Sequence, residues 1–304
     1  MTYPPAIYGN FAIDDLVFPD GSTQWAVPGG SAAYAALGAS LWTDSPAIVA
    51  PIGEDYPANS LGSRIDLSRC RHLPLTMRNW GLYEEDGRRH FISRSSSRNW
   101  REFSPTPADV RSGYQERAHI APLPFEVTTQ LVRELRLVGT KSISLDLDDH
   151  DLLGNNSLDR MIELLSSIDF FMPSQQDVLM LLAETDPLES LRKLRTLVPE
   201  ITFIAIKCGA QGSIAHLVGT EEAIRIPALS VEVLDPTGAG DAFCGGVLGG
   251  LTRQSDPREA LLCGAVSASF CIEGPGFSGF ATASEETVNS RLAELRQHTT
   301  IQKL

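Results

Sequence analysis

From about residue 118 onward, short runs of apolar, β-branched and aromatic residues alternate with longer stretches in which apolar positions recur every three or four residues. The short runs predict strands at 118–121, 142–147, 170–172 and 203–207. Between them, 126–138, 158–166, 175–183 and 188–198 have helical spacing. Such alternation is the pattern of a parallel sheet covered by helices.

The first hundred residues read differently. A strand at 6–9 is followed by an extended piece at 13–18, a Pro19-Asp20-Gly21 turn, a second extended piece at 23–27 and a helix at 31–42. A hairpin thus interrupts the first βα step. Two further extended pieces, 77–83 and 89–93, flank Glu84-Glu85-Asp86-Gly87, where Asp-Gly signals a turn. Together these pieces predict a small β-sheet formed by segments roughly 11–28 and 74–102 and projecting from the main body. The last third is mostly helical, at 239–251, 257–272 and 284–297, and is broken by Glu273-Gly274-Pro275-Gly276-Phe277-Ser278-Gly279. No low-complexity tract separates these regions, so residues 1–304 read as one α/β domain with an inserted lid.

Composition narrows the function. The 304 residues are 42% hydrophobic and 21% charged, as in an ordinary globular protein. A formal net charge of −13 argues against nucleic acid and anionic membranes as partners, since both are held by clustered Lys and Arg. The Arg-rich stretch 88–101 is interleaved with Ser and aromatic residues and reads as a solvated loop. Cys70, Cys208, Cys244, Cys263 and Cys271 show no C-x-x-C spacing and read as reduced thiols. No run reaches transmembrane length, and the start lacks a basic segment followed by an apolar one, so a cytoplasmic location is expected.

The chemistry concentrates in Asp235-Pro236-Thr237-Gly238-Ala239-Gly240-Asp241-Ala242-Phe243, where an apolar run at 231–234 enters a Gly-rich turn and then a helix of small residues. The N–H groups of Gly238, Ala239 and Gly240 would lie at the helix N-terminus, where orphan donors and the helix dipole stabilise a phosphate or an oxyanion. Asp241, in the first turn, would be placed to take the proton of a hydroxyl attacking that phosphate. Taken alone, Thr-Gly-Ala-Gly is equally a tight strand-to-helix turn with Asp241 complementing the dipole.

The longer string Asp235-x-Thr237-Gly238-Ala239-Gly240-Asp241-x-Phe243 resembles the C-terminal signature of the ribokinase/PfkB family of carbohydrate kinases. The resemblance implies a three-layer ribokinase-like α/β sandwich with a central, mostly parallel sheet and a small β-sheet lid. It implies ATP as donor, Mg²⁺, and Asp241 as catalytic base beside the Gly238-Ala239-Gly240 anion hole. Thr237 then falls among the nucleotide contacts. The 273–279 loop resembles the family segment beside the nucleotide and, in some members, a monovalent cation such as K⁺, a point the sequence leaves open.

Other landmarks follow in the family's order. Gly29-Gly30-Ser31-Ala32-Ala33-Tyr34 is similar to the di-glycine segment that approaches the sugar and opens a helix, with Ser31 able to cap it. Asp14, in Gly9-Asn10-Phe11-Ala12-Ile13-Asp14, resembles the carboxylate that accepts substrate hydroxyls, while Asp15 reads as solvated. Tyr34 stands where many sugar kinases carry Asn; it is assigned either to the substrate as an aromatic face or to the core. Ser174-x-x-Asp177 resembles the family's Asn-x-x-Glu near Mg²⁺ and the phosphates, with Asp177 reaching metal through water, and is equally a helix capping pair. Lys207, with Gly209 and Gly212 marking the turn after it, would reach an ATP phosphate or simply emerge from a strand end. The acidic run Asp146-Leu147-Asp148-Asp149-His150-Asp151 begins at a strand's carboxyl end, where α/β ligands bind, and reads first as a solvated loop and otherwise as a site for a hard cation. Trp80, Phe91, Trp100, Arg88 and Arg89 in the lid would close over substrate or cover a homodimer interface. The acceptor is thus expected to be a sugar or polyol, or a nucleoside on the same fold; a non-catalytic sensor of nucleotide or sugar is the third reading.

Overall fold

The computed structural model describes residues 3–85, 89–94, 100–113, 115–147, 158–254 and 256–304. In chain order its strands are β1 (Ala6–Tyr8), β2 (Ala12–Val17), β3 (Thr23–Gly29), β4 (Ala47–Val49), β5 (Pro51–Gly53), β6 (Arg71–Leu73), β7 (Met77–Tyr83) and β8 (Arg89–Ser93). There follow β9 (Arg117–Ile120), β10 (Ser142–Leu145), β11 (Phe170–Phe171), β12 (Phe203–Lys207), β13 (Ser213–Leu217), β14 (Glu222–Ile226) and β15 (Thr300–Lys303). The helices are α1 (Ser31–Ser40), α2 (Phe125–Leu137), α3 (Leu158–Leu165), α4 (Gln175–Leu182), α5 (Pro187–Leu197), α6 (Ala239–Arg253), α7 (Pro257–Cys271) and α8 (Glu285–His298).

Nine strands form the large sheet in the order β15-β14-β13-β12-β11-β10-β9-β1-β4. Strands β12, β11, β10, β9, β1 and β4 are mutually parallel, and β13, β14 and β15 continue the sheet antiparallel. The parallel strands read as continuous apolar runs because both faces are covered. On one face, Leu131 and Leu135 of α2, Met161 and Leu164 of α3 and Leu191 and Leu194 of α5 pack against Ile120, Ile143 and Ile204. On the other, Phe243 and Val247 of α6, Phe270 of α7 and Leu292 of α8 pack against Phe203, Ala205 and Ala215.

A separate four-stranded sheet, β3-β2-β7-β8, carries the N-terminal hairpin and the second extended pair. Its β2 runs antiparallel to β3 and parallel to β7, in the register Asp14↔Asn79 and Asp15↔Trp80. Period-two alternation then puts Asp14, Asn79, Gly81 and Tyr83 on one face and Asp15, Trp80 and Leu82 on the other.

Two expectations are corrected. Residues 231–234 form no strand, and Val233 and Leu234 are exposed; the Leu234 N–H instead donates to Ile272 O at 2.8 Å. The sheet extends over β13, β14 and β15, the last built from the chain's final residues. The Asp86-Gly87 turn lies outside the described residues, as do Arg88 and residues 148–151 of the acidic run.

Candidate active site

The site is set by the crossing of α1 and α6. Both helices are lined with Gly and Ala, and their backbones touch: a Cβ on Gly38 would lie 2.3 Å from Ala242 O, and one on Gly245 would lie 1.8 Å from Ala35 O. Contacts advance in step along the two helices, so both N-termini reach the same end of the sheet. Gly238, the N-cap of α6, adopts φ 75° and ψ 1°, a left-handed conformation natural to glycine. A Cβ there would meet Tyr34 Cγ at 2.2 Å.

Tyr34 is therefore packed beneath the turn. It is only 2% exposed, and its ring meets Phe277 edge-on at 5.0 Å between centroids. The core reading of Tyr34 replaces that of an aromatic face offered to a ligand. Its hydroxyl is pushed well above the usual tyrosine range by burial, with the Cys271, Asp235 and Asp14 charges adding to the effect.

Beside Tyr34 lies the carboxylate of Asp14, 5% exposed on β2. A Cβ on Gly29 would come within 2.7 Å of Asp14 Oδ2 and 3.7 Å of Tyr34 Cε2, so the di-glycine segment makes room for both. Asn79 Nδ2 donates to Asp14 Oδ1 at 2.9 Å. Burial pushes the Asp14 carboxyl up to about 6; the Asn79 hydrogen bond opposes this, and the Asp235 and Asp15 charges add to it. Gly30, not Ser31, is the N-cap of α1, and no side chain caps it. Ser31 N–H and Oγ instead both approach Asn10 Oδ1 at 3.3 Å. Asp15, expected to be solvated, is 6% exposed on the opposite face, where it accepts from Arg94 Nη1 at 2.7 Å and the Ala26 N–H at 2.9 Å.

On the far side of the α6 N-terminus, Lys207 leaves β12 and forms an ion pair with Asp146, which follows β10. Asp146 is buried and Lys207 largely so, at 5% and 13% side-chain exposure, so Asp146 is not part of a solvated loop. Burial raises the Asp146 carboxyl even though Lys207 pulls it down. Burial likewise opposes the Lys207 charge, but Asp146 and neighbouring Cys244 and Asp177 override it and raise the ammonium's pKa. Lys207 Nζ lies 3.3 Å from where a Gly240 Cβ would stand, so glycine here admits the ammonium to the first turn of α6.

Ser174 and Asp177 form a reciprocal capping box on α4, with Ser174 N–H donating to Asp177 Oδ2 at 2.7 Å and Asp177 N–H to Ser174 Oγ at 3.1 Å. Asp177 is 5% exposed, and its carboxyl rises to about 6 through burial and then the Asp146 charge. The β-bridge between Ser174 and Lys207 brings this box to the ammonium. Gly209 opens a single 3₁₀ turn and Gly212 closes it at φ 81°, where a Cβ would lie 2.0 Å from Ile226 O.

The turn before α6 is braced from within. Asp235, 1% exposed, accepts from the Thr237 N–H at 2.9 Å and from Thr237 Oγ1 at 2.5 Å. Gly276 N–H approaches its other oxygen at 3.4 Å. The Ala239 N–H has a long bond to Pro236 O, 3.4 Å, so it is not an open donor. Asp241 is half-buried in the first turn of α6.

The fold thus gathers Asp14, Gly29, Gly30, Tyr34 and the 237–241 turn on one side, and Lys207, Asp146, Ser174 and Asp177 on the other. Trp80 lies on the outer face of the small sheet, 45% exposed beneath Arg94, and Phe91 on its inner face. Asn79 and Tyr83 join the site without any local sequence signal, because strand register places them, while Asp146, the first residue of the acidic run, enters it through its long-range pairing with Lys207. Among the described residues, no three His, Cys, Asp or Glu side chains cluster as a metal site. Mg²⁺ nonetheless fits, since it keeps several waters and needs only one or two carboxylates beside substrate phosphates. The α6 N-terminus and Lys207 suit those phosphates.

The fold is that of the ribokinase-like α/β proteins. The chain belongs to the pfkB family of carbohydrate kinases, whose sequence profile matches residues 14–283. A cytidine kinase from Thermococcus kodakarensis is 28% identical over 266 residues, covering 85% of this chain and 92% of that protein. The fold is similar to that of the Methanocaldococcus jannaschii nucleoside kinase, with a TM-score of 0.73 at 20% identity, covering 97% of this chain and 100% of that one. It is also similar to Arabidopsis thaliana ribokinase complexed with ribose and ATP, with a TM-score of 0.72 at 19% identity, covering 96% of this chain and 99% of that one. No helix among the described residues is long and apolar enough to cross a membrane.

Proposed function

We propose that this kinase transfers the terminal phosphoryl group of ATP to a hydroxyl of a sugar or polyol, with Asp14 holding the acceptor and Asp241 acting as base. The observation that carries the reading is the shared packing of Tyr34 against both Gly29, beside Asp14, and Gly238. One buried side chain joins the acceptor carboxylate to the helix N-terminus suited to phosphate.

Asp14 accepts hydrogen bonds from acceptor hydroxyls, and Asn79 fixes its orientation. The Gly238-Ala239-Gly240 turn and the α6 dipole stabilise charge on the transferred group, and Lys207 adds a positive charge at Gly240. Thr237, Ser174, Gly209 and Gly212 border the nucleotide. Asp177 would hold Mg²⁺ through water, and the ion would supply neutralisation of phosphate charge. Asp241 removes the hydroxyl proton as the oxygen attacks.

A nucleoside is the second acceptor class, favoured by the nearly end-to-end match to a cytidine kinase. ADP release measured across pentoses, hexoses, polyols and nucleosides tests both. Turnover with a free sugar supports the first, and turnover with nucleosides alone supports the second. ATP binding with no acceptor-dependent turnover would leave a sensor. Exposed Trp80, Leu82 and Ile92 on the small sheet support a second copy of the chain as its cover, which mass in solution tests.

A further inference from the structure

Strand β7 touches both halves of the site. Asn79, in its middle, donates to Asp14 at 2.9 Å. Tyr83, four residues on and on the same face, ends the strand with its hydroxyl hydrogen-bonded to Thr237 Oγ1 and 3.3 Å from Asp235 Oδ1. These are the residues that brace the turn into Gly238. The Tyr83 ring is held independently by Phe18, stacked at 5.1 Å and 24°. Ring and hydroxyl therefore have separate partners: the ring belongs to the small sheet, and the hydroxyl reaches across to the large domain's phosphate turn.

We propose that Tyr83 is a positioning residue that couples the acceptor-bearing sheet to the phosphate-binding turn. A rigid strand spans Asn79 to Tyr83, so any displacement of the small sheet on acceptor binding shifts the hydroxyl against Thr237 and Asp235. With the sheet seated, the hydroxyl fixes the Thr237–Asp235 pair, and through it the left-handed Gly238 and the donors that follow. Tyr83 acts through these groups and has no part in proton transfer. The activity consequence rests on the phosphotransfer reading; the structural tie does not.

Tyr83→Phe keeps the ring on Phe18 and removes only the hydroxyl. Acceptor-dependent ADP release is expected to fall about 10- to 100-fold, the range for losing a hydrogen bond to a charged partner. Acceptor-independent ATP hydrolysis should not fall in proportion, so the ratio of the two drops. A merely structural residue would lower both together. Amide hydrogen exchange across residues 235–241 of the unliganded protein gives a second readout and should quicken in the variant. An unchanged coupling ratio in an active enzyme, or unchanged exchange in this turn, overturns the proposal. Absence of acceptor-dependent turnover in the wild type would instead count against the kinase reading, and the exchange result would still decide the role of Tyr83.

Discussion

Gly238 rests on the ring of Tyr34 so closely that a single added carbon would stand 2.2 Å from Cγ. The contact links the two Gly-rich landmarks of the chain, one opening α1 and the other opening α6. Gly238→Ala is disfavoured twice, by its positive φ, which costs about 1 kcal/mol, and by the ring beneath it. The buried ring cannot swing clear, so the turn must move. Phosphoryl transfer should fall at least about 100-fold with the overall fold retained, because a 1 Å misplacement in an active site costs that much. Steady-state kinetics together with circular dichroism check this.

Asp241→Asn preserves shape while removing the carboxylate proposed as base. ATP-induced thermal stabilisation should be retained, and turnover should fall about 10²- to 10⁴-fold, the usual contribution of a general base. Wild-type-like turnover would remove Asp241 from the mechanism.

The role proposed for Asp14 makes acceptor use pH-dependent. Its carboxyl lies at about 6 in the folded protein, against 3.8 ordinarily. Below that pH it is protonated and loses its capacity to accept from several hydroxyls, so kcat/KM for the acceptor should decline as pH falls through about 6. Asp177 titrates in the same range, at about 6. The two separate by variant: Asp14→Asn should raise the acceptor KM at neutral pH, whereas loss of the Asp177 charge should weaken Mg·ATP. Stability runs the opposite way. A raised folded pKa means that the folded state binds more protons, so stability falls as pH rises from about 4 to about 6. Asp14→Asn should therefore be more heat-stable than the wild type at pH 7, by at most about 3 kcal/mol, while binding acceptor less well.

The sequence made the architecture readable wherever one kind of periodicity filled an element. Strand β12 and the span of β7 and β8 match their predicted ranges, and α2, α4 and α5 fall within a residue of theirs. Residues 231–234 failed because Val231, Val233 and Leu234 have strand composition but no neighbouring strand to pair with. Within the site, Gly238 and Gly240 were legible because close packing there, against Tyr34 and Lys207, leaves little room for a side chain. Tyr34 was not, since an aromatic residue on a small-residue helix fits either a ligand face or a helix crossing, and only the Gly38–Ala242 approach decides. Asn79 and Tyr83 depend on β2–β7 register, so no local spacing marks them; Asp146 stood out within the acidic run, but its pairing with Lys207, 61 residues away, did not.

That last pairing yields the sharpest stability test. Asp146 is buried and Lys207 largely so, and each favours the other's charge against the cost of burial. Asp146→Asn would leave an ammonium buried without its nearest counter-charge, a change that costs about 3–5 kcal/mol. Its pKa should fall toward the range where it titrates, giving the variant an alkaline loss of ATP affinity absent from the wild type. Lys207→Met strands Asp146 instead and should be comparably unstable. The double variant removes both charges and should recover much of the lost stability, since an apolar replacement for a buried pair is often neutral. It should not recover affinity for ATP, because the ammonium at Gly240 is gone. Chemical denaturation and nucleotide titration of the four proteins separate the two effects. If the double variant binds ATP as well as the wild type, Lys207 has a structural role and does not contact phosphate.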